Sequence, residues 1–254
     1  MSFWFLGFGV WGALPLEISI NKAEGNAPQT PNSKNQTPKQ RFMINATILI
    51  IAATALVSLV AFSNGNLMYN LRHWPYQEAR RGEYYRWITG GLLHADPMHL
   101  IFNMLTLFFF GKYVEGWFTD VFGAAGAIVY VLFYVLALVA SSSATFYKYR
   151  NNPGFASIGA SGATAAVLFA AILLDPTISI YLFIIPIGIP GFIFGILYLW
   201  YSNYAANRSH DNIDHTAHFF GAVFGFFFPI LLQPSLIVEF FRQMVGWFHY
   251  AFGS

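Results

Sequence analysis

The sequence predicts an all-α fold, a polytopic membrane bundle of six transmembrane helices. Hydrophobic residues make up 56% of the 254 and charged residues only 9%, against about 25% charged in a soluble globular domain. Thirteen basic and 11 acidic side chains are too few to solvate the surface of a soluble fold of this size. Apolar runs of about 20 residues, the length that crosses a hydrocarbon core, recur along the chain. Zero cysteines exclude a disulfide-stapled secreted domain, thiolate catalysis and Cys-based metal sites. A net charge of +2 gives no footprint for nucleic acid.

The elements follow in order. Phe3–Leu16 is apolar, about half a span long and not preceded by a basic residue. It reads as an interfacial or loosely ordered segment rather than a cleaved leader. Glu17–Arg41, rich in Asn, Pro, Gln and Lys, reads as a linker, so residues 1–41 form an N-terminal appendage. Six spans are expected over 42–233, at about Ile44–Phe62, Met98–Phe110, Val121–Ala140, Phe155–Leu174, Ile178–Trp200 and Ile213–Leu232. Pro186 and Pro190 predict a bend or break in the fifth. The loop Tyr201–Asn212 is the obvious lid. In 234–254, Leu236, Phe240, Met244 and Phe248 fall at helical spacing, which predicts an amphipathic helix at the membrane interface. Basic residues fall about evenly on the two sides, so charge alone does not orient the bundle.

Polar residues inside spans are costly and mark candidate sites. His99 and Asn103 share a face at the start of the second span. Ser161 lies early in the fourth, in Gly159-Ala160-Ser161-Gly162, and His218 lies early in the sixth. Even-numbered spans cross in one direction, so these side chains are expected in one layer just below one membrane surface. His218, Gly221 and Gly225 form a narrow stripe, and Ser157, Ser161 and Ala165 another, with Gly162 beside it. Small residues on facing stripes let backbones approach closely, as a hydroxyl and an imidazole require. Asp214, four residues before His218, suits a helix cap better than a triad acid.

With these motifs the chain resembles the rhomboid family of intramembrane serine proteases. The matching elements are Tyr85-Arg86-Trp87, His94, His99-xxx-Asn103, Gly111-xxx-Glu115, Gly159-Ala160-Ser161-Gly162 and Ala217-His218-xx-Gly221-xxx-Gly225, in order over about 42–233. The resemblance implies a rhomboid-like six-span domain with a Ser161–His218 dyad. It also implies an oxyanion site from Asn103, His99 and backbone N–H groups near Ser161. Arg86, His94, Glu115, Gly159, Gly162, Gly221 and Gly225 are expected as structural support. The implied activity is endoproteolysis of other proteins' transmembrane segments, without a cofactor or metal. The site is expected to face the non-cytoplasmic side of the cell membrane. Family members often carry an aromatic residue one turn after the nucleophile, against the histidine ring; here that position is Ala165.

Other classes compete. His210, Asp211, Asp214, His215 and His218 are a dense set of ligand types, but no His-Glu-xx-His sequence accompanies them. A non-catalytic rhomboid-like protein that binds membrane clients would lack the serine or the histidine, and both are present. A transporter is disfavoured by the lack of internal repeats and of a mid-span carboxylate.

Overall fold

The computed structural model describes residues 45–182, 185–208, 211 and 213–253. Phe3–Leu16, Glu17–Arg41 and His210 lie outside the described residues. The described chain is mostly helical.

The first helix, α1 (Ala46–Phe62), is apolar along its length, and its start is held from elsewhere in the chain. Glu115 accepts hydrogen bonds from the Ala46 N–H at 2.7 Å, the Thr47 N–H at 2.9 Å and the Thr47 hydroxyl at 2.7 Å. These satisfy donors that a helix start leaves without intrahelical partners. Three short helices follow outside the main bundle: α2 (Gly65–Leu71), α3 (Pro75–Arg81) and α4 (Arg86–Thr89), the last running into a tight turn over Gly90–Leu92. Arg86 fastens them. Its guanidinium donates to the carbonyls of Tyr69 and Arg72 at 3.0 and 3.1 Å and pairs with Glu83 at 2.7 Å.

Asp96 opens α5 (Pro97–Thr106) by accepting from the His99 N–H at 2.9 Å, with Pro97 at the first helical position. The helix continues through a wider π turn, Leu107–Gly111, into α6 (Lys112–Phe122). The second span is therefore longer than its predicted end at Phe110. Gly111 sits where a Cβ would meet the Thr47 methyl and the Tyr130 hydroxyl, each at 2.8 Å. A turn at Gly123–Ala125 leads into α7 (Gly126–Tyr149).

At the centre stands α8 (Ser161–Leu174), with every residue from Gly162 to Leu173 buried. A helix that is apolar all round belongs inside a bundle, and α10 (His215–Leu232) packs along it. Residues 155–160, expected as the first turns of the fourth span, are not helical. There the chain pairs with an earlier loop: His73 N–H donates to Ser157 O at 3.1 Å, and Ser157 N–H to His73 O at 2.9 Å. Once the backbone is committed to that pairing, the helix begins at Ser161.

The fifth predicted span needs the largest correction. Ser179–Leu182 and Ile185–Pro190 form a two-stranded antiparallel hairpin, β1 and β2, in which Ser179 faces Pro190 and Ile180 faces Ile189. Helix α9 starts only at Gly191 and runs to Arg208. β-Branched residues favour extended backbone, and each proline removes a helical N–H. The same helix corrects the predicted lid, since Tyr201–Arg208 are helical and not loop. The chain ends in α11 (Ser235–Phe252), which buries Leu236 and Phe240. Among the described residues two helical runs, Pro97–Tyr149 and His215–Leu232, are long and apolar enough to cross a membrane. Ala46–Phe62 and Ser161–Leu174 are shorter apolar helices.

Candidate active site

Ser161 is the first residue of α8, and no side chain caps that helix start. The N–H groups of a first turn have no intrahelical acceptor and favour negative charge nearby. His218 lies in the first turn of α10. The approach of the two helices is set by glycine. A Cβ at Gly221 would fall on the backbone of Gly162, and one at Gly225 on the backbone of Ala166. Gly162 is itself pressed against Ser141 of α7 and lies near the carbonyl of Ala217. Ser161 and His218 therefore stand on helices whose backbones touch one residue beyond the serine. Among the described residues no hydrogen bond joins the Ser161 hydroxyl to the His218 ring; such bonds are often loose before substrate binds.

Asn103 and His99 reach the same region from α5. Thr164 donates its hydroxyl to Asn103 Oδ1 at 2.9 Å, and Asn103 Nδ2 donates to the His99 carbonyl at 3.0 Å. One amide hydrogen of Asn103 is thereby committed and the other is left for a further acceptor. The His99 ring lies against Gly159, where a Cβ would meet its Cε1 at 2.7 Å and its Nε2 at 2.9 Å. Gly159 also has φ +130°, a conformation that L side chains rarely adopt. A glycine two residues before Ser161 is thus required twice over.

The supporting residues divide by what they hold. Ser58 donates its hydroxyl to Leu92 O at 2.8 Å and stands 2.9 Å from His94 Nδ1. With that hydroxyl proton committed, His94 Nδ1 is the donor, and it ties the loop ahead of α5 to α1. Burial, reinforced by the neighbouring His99 ring, pushes the His94 imidazole down to about 3. Asp214 caps α10 by accepting from the Ala217 N–H at 2.9 Å. Its two oxygens also accept from Thr145 at 2.9 Å and from Ser157 at 3.0 Å. Its recorded side-chain bonds go to these groups rather than to the His218 ring.

Two residues were missed in the sequence. Tyr198 of α9 is buried and stacks on the His218 ring, with centroids 6.4 Å apart and planes at 27°. Ala165 leaves space one turn after Ser161, and the aromatic partner of the imidazole comes from another helix. Thr164 bridges the serine's own turn to Asn103, its hydroxyl within donating distance of Asn103 Oδ1 at 2.9 Å and of the Ser161 carbonyl at 3.1 Å, and no motif in the sequence marks it. Of the proposed metal ligands, Asp211 pairs with His215 at 3.2 Å. Among the described residues no group of three His, Asp or Glu side chains converges as for a metal.

A family model described as the Rhomboid domain matches residues 81–235. The chain is similar to "RHOMBOID-like protein 12, mitochondrial" of Arabidopsis thaliana, at 28% identity over 183 residues, 68% of this chain and 54% of that one. It is similar also to "Rhomboid protease GlpG" of Haemophilus influenzae, at 30% identity over 145 residues, 56% of this chain and 68% of that one. The chain spans about half the length of the first relative and about two thirds of the second.

Proposed function

The chain belongs to the rhomboid family of integral membrane proteins, and from that premise we propose that it is an intramembrane serine endopeptidase working through Ser161 and His218 on six spans. The carrying observation is the glycine-mediated contact of α8 and α10, which brings a serine and a histidine to facing helix starts.

In this reading His218 takes the Ser161 proton as the oxygen attacks a peptide carbonyl, then returns it to the leaving amine. The developing oxyanion sits at the open first turn of α8, with the second amide hydrogen of Asn103 and the His99 ring as further donors. Deacylation by water restores Ser161. Tyr198 holds the His218 ring between turnovers. Substrates are transmembrane segments of other proteins. Those that unwind readily near the membrane surface are preferred, because a carbonyl locked in a helix is not open to attack. We place the protein in the cell membrane, with the site toward the non-cytoplasmic side.

The test is cleavage of a single-span substrate by the purified protein in liposomes, with a fluorophosphonate probe of serine reactivity and a chelator in parallel. Cleavage and labelling are expected to vanish in Ser161→Ala and to persist with the chelator. Cleavage that survives Ser161→Ala would overturn the reading, and a wild-type protein that binds but never cleaves would instead be a client-binding relative.

A further inference from the structure

The last helix, α11, begins where the matched rhomboid domain ends, at residue 235. Successive residues turn by about 100° around a helix, so its side chains sort into three flanks. Leu236, Phe240, Met244 and Trp247 lie on one flank and pack against the bundle. Glu239 and Arg242 lie on the opposite flank. Between the two, Val238, Phe241, Val245 and Phe248 make a second apolar stripe, exposed by 68, 56, 54 and 45%. On an integral membrane protein such a stripe faces hydrocarbon.

Behind that stripe α11 does not close on its neighbours. It leaves a groove of about 350 Å³ over α8, α9 and α10, whose lining is apolar throughout and includes Phe169, Gly195, Val223, Phe227, Phe241 and Met244. Aromatic posts hold the groove open. The Phe192 ring of α9 stands 5.4 Å from Trp247 and 5.7 Å from Phe248, and Phe226 of α10 stands 5.3 Å from Phe240. At Gly195 a Cβ would meet nothing nearer than a Phe169 ring carbon at 3.5 Å, so the glycine leaves room that packing does not demand. Water finds no polar partner in such a space, and leaving it empty forfeits dispersion contacts. A helix about 10 Å across fills roughly 400 Å³ per turn, so the groove admits less than one turn of a partner helix. At about 30 Å³ each, the volume of a water molecule and close to that of a methylene, it takes on the order of ten methylenes in file.

We propose that this groove is a binding site for one acyl chain of a membrane lipid, which enters from the hydrocarbon side past the exposed stripe of α11. The site stands whether or not the protein is a protease. The chain is recognised by its shape and not by its headgroup. Glu239 and Arg242 are the only carboxylate and the only Lys or Arg of α11. Arg242 donates to both oxygens of Glu239, at 2.8 and 2.7 Å, so neither charge is left for a phosphate. The bound chain is a wedge that joins α11 to α9. Phe169, at the floor of the groove, packs on Tyr198 with centroids 5.4 Å apart, so the wedge backs the aromatic seam that reaches His218. Bound to the native fold alone, it stabilises that fold by mass action.

The experiment uses the full-length protein with photo-methionine in place of methionine. That puts one diazirine in the groove at Met244 and another on open surface at Met98, which is 54% exposed. The protein is reconstituted in dioleoylphosphatidylcholine vesicles, extracted into detergent, purified and irradiated. Mass spectrometry is expected to find a single phospholipid adduct on the Met244 peptide, about tenfold or more above the Met98 peptide. Dioleoylphosphatidylglycerol vesicles should give the same result. Gly195→Leu places a side chain in the groove and should lower the Met244 adduct by about tenfold or more. Val223→Phe fills the groove from α10 and decides the matter if Gly195→Leu does not fold. Lipid added back to delipidated protein should raise Tm in wild type and less in the filled variants. Equal labelling of Met244 and Met98 would mean surface lipid only and would overturn the proposal. So would adducts from one headgroup alone, or adducts and Tm shifts that the filled variants leave unchanged. A crosslink from Met244 to a peptide of residues 3–16, or to a second copy of the chain, would overturn it too and name that segment or copy as the occupant.

Discussion

Replacing Gly221 by alanine adds one methyl group at the point where α10 crosses α8. The ideal Cβ position lies 2.7 Å from the carbonyl carbon of Gly162 and 3.0 Å from its Cα, and closer still to its oxygen. All three are backbone atoms, so no side chain can swing aside. Restoring ordinary contact requires the helices to part by on the order of 1 Å, and a shift of that size at a reacting pair costs about a hundredfold in rate. Overpacking should cost about 1–3 kcal/mol of stability as well. Turnover of a single-span substrate in liposomes and thermal melting measure the two effects separately. Gly246 of α11 is the internal control, since a Cβ there meets nothing within 4 Å; Gly246→Ala should match wild type in both. Wild-type turnover and melting in Gly221→Ala would refute the reasoning, because the backbones would then not be in contact where the geometry puts them.

Asp214→Asn keeps a side-chain oxygen for the Ala217 N–H and should retain activity within about tenfold, whereas a triad acid made an amide costs about 10⁴ in turnover; a loss of three orders of magnitude would make Asp214 an orienting acid. Tyr198→Phe keeps the stacked ring and should turn over normally, while Tyr198→Leu should lower kcat about tenfold by freeing the imidazole; equal rates in the two would dissociate Tyr198 from His218. His94 titrates at 6.5 when unperturbed and at about 3 in the fold, so between those values the unfolded chain binds a proton that the native one refuses. Stability is full above pH 6.5 and falls by up to about 1.4 kcal/mol per pH unit as pH drops toward 3; His94→Gln should flatten that acid limb in melting curves from pH 7 to 4.

Much of the architecture is written in local pattern. The last helix was legible to its ends, because Pro234 and the spacing of Leu236, Phe240 and Met244 are set by near neighbours. The glycine stripe after His218 was legible for the same reason, but its counterpart was not: Ser157 lies in extended chain before α8, and Gly221 and Gly225 meet Gly162 and Ala166 rather than the face of Ser161 and Ala165. What failed did so where a different physical interaction decided. Ile178–Pro190 is as apolar as a span, and hydropathy does not distinguish an apolar hairpin from a helix; the alternation of isoleucines with proline and glycine is the feature that favours extended backbone there. Tyr198 and Thr164 could not be tied to the site from spacing. Their partners lie on other elements, and only the packed fold brings an aromatic ring from α9 onto His218, or the Thr164 hydroxyl onto the amide of Asn103.

The π turn at Leu107–Gly111 sets how the two halves of the second span relate. One surplus residue per turn rotates everything beyond it by about 100° relative to an unbroken α-helix. Upstream of it, Asn103 faces Thr164 of the central helix; downstream, Glu115 faces the start of α1. The two obligations point in different directions, and the surplus residue reconciles them. Deleting any one residue from 107–111 would therefore act as a change of phase rather than of chemistry. The chain could keep its anchor to the first helix or its amide beside the serine, but not both, though every side chain of either set would still be present.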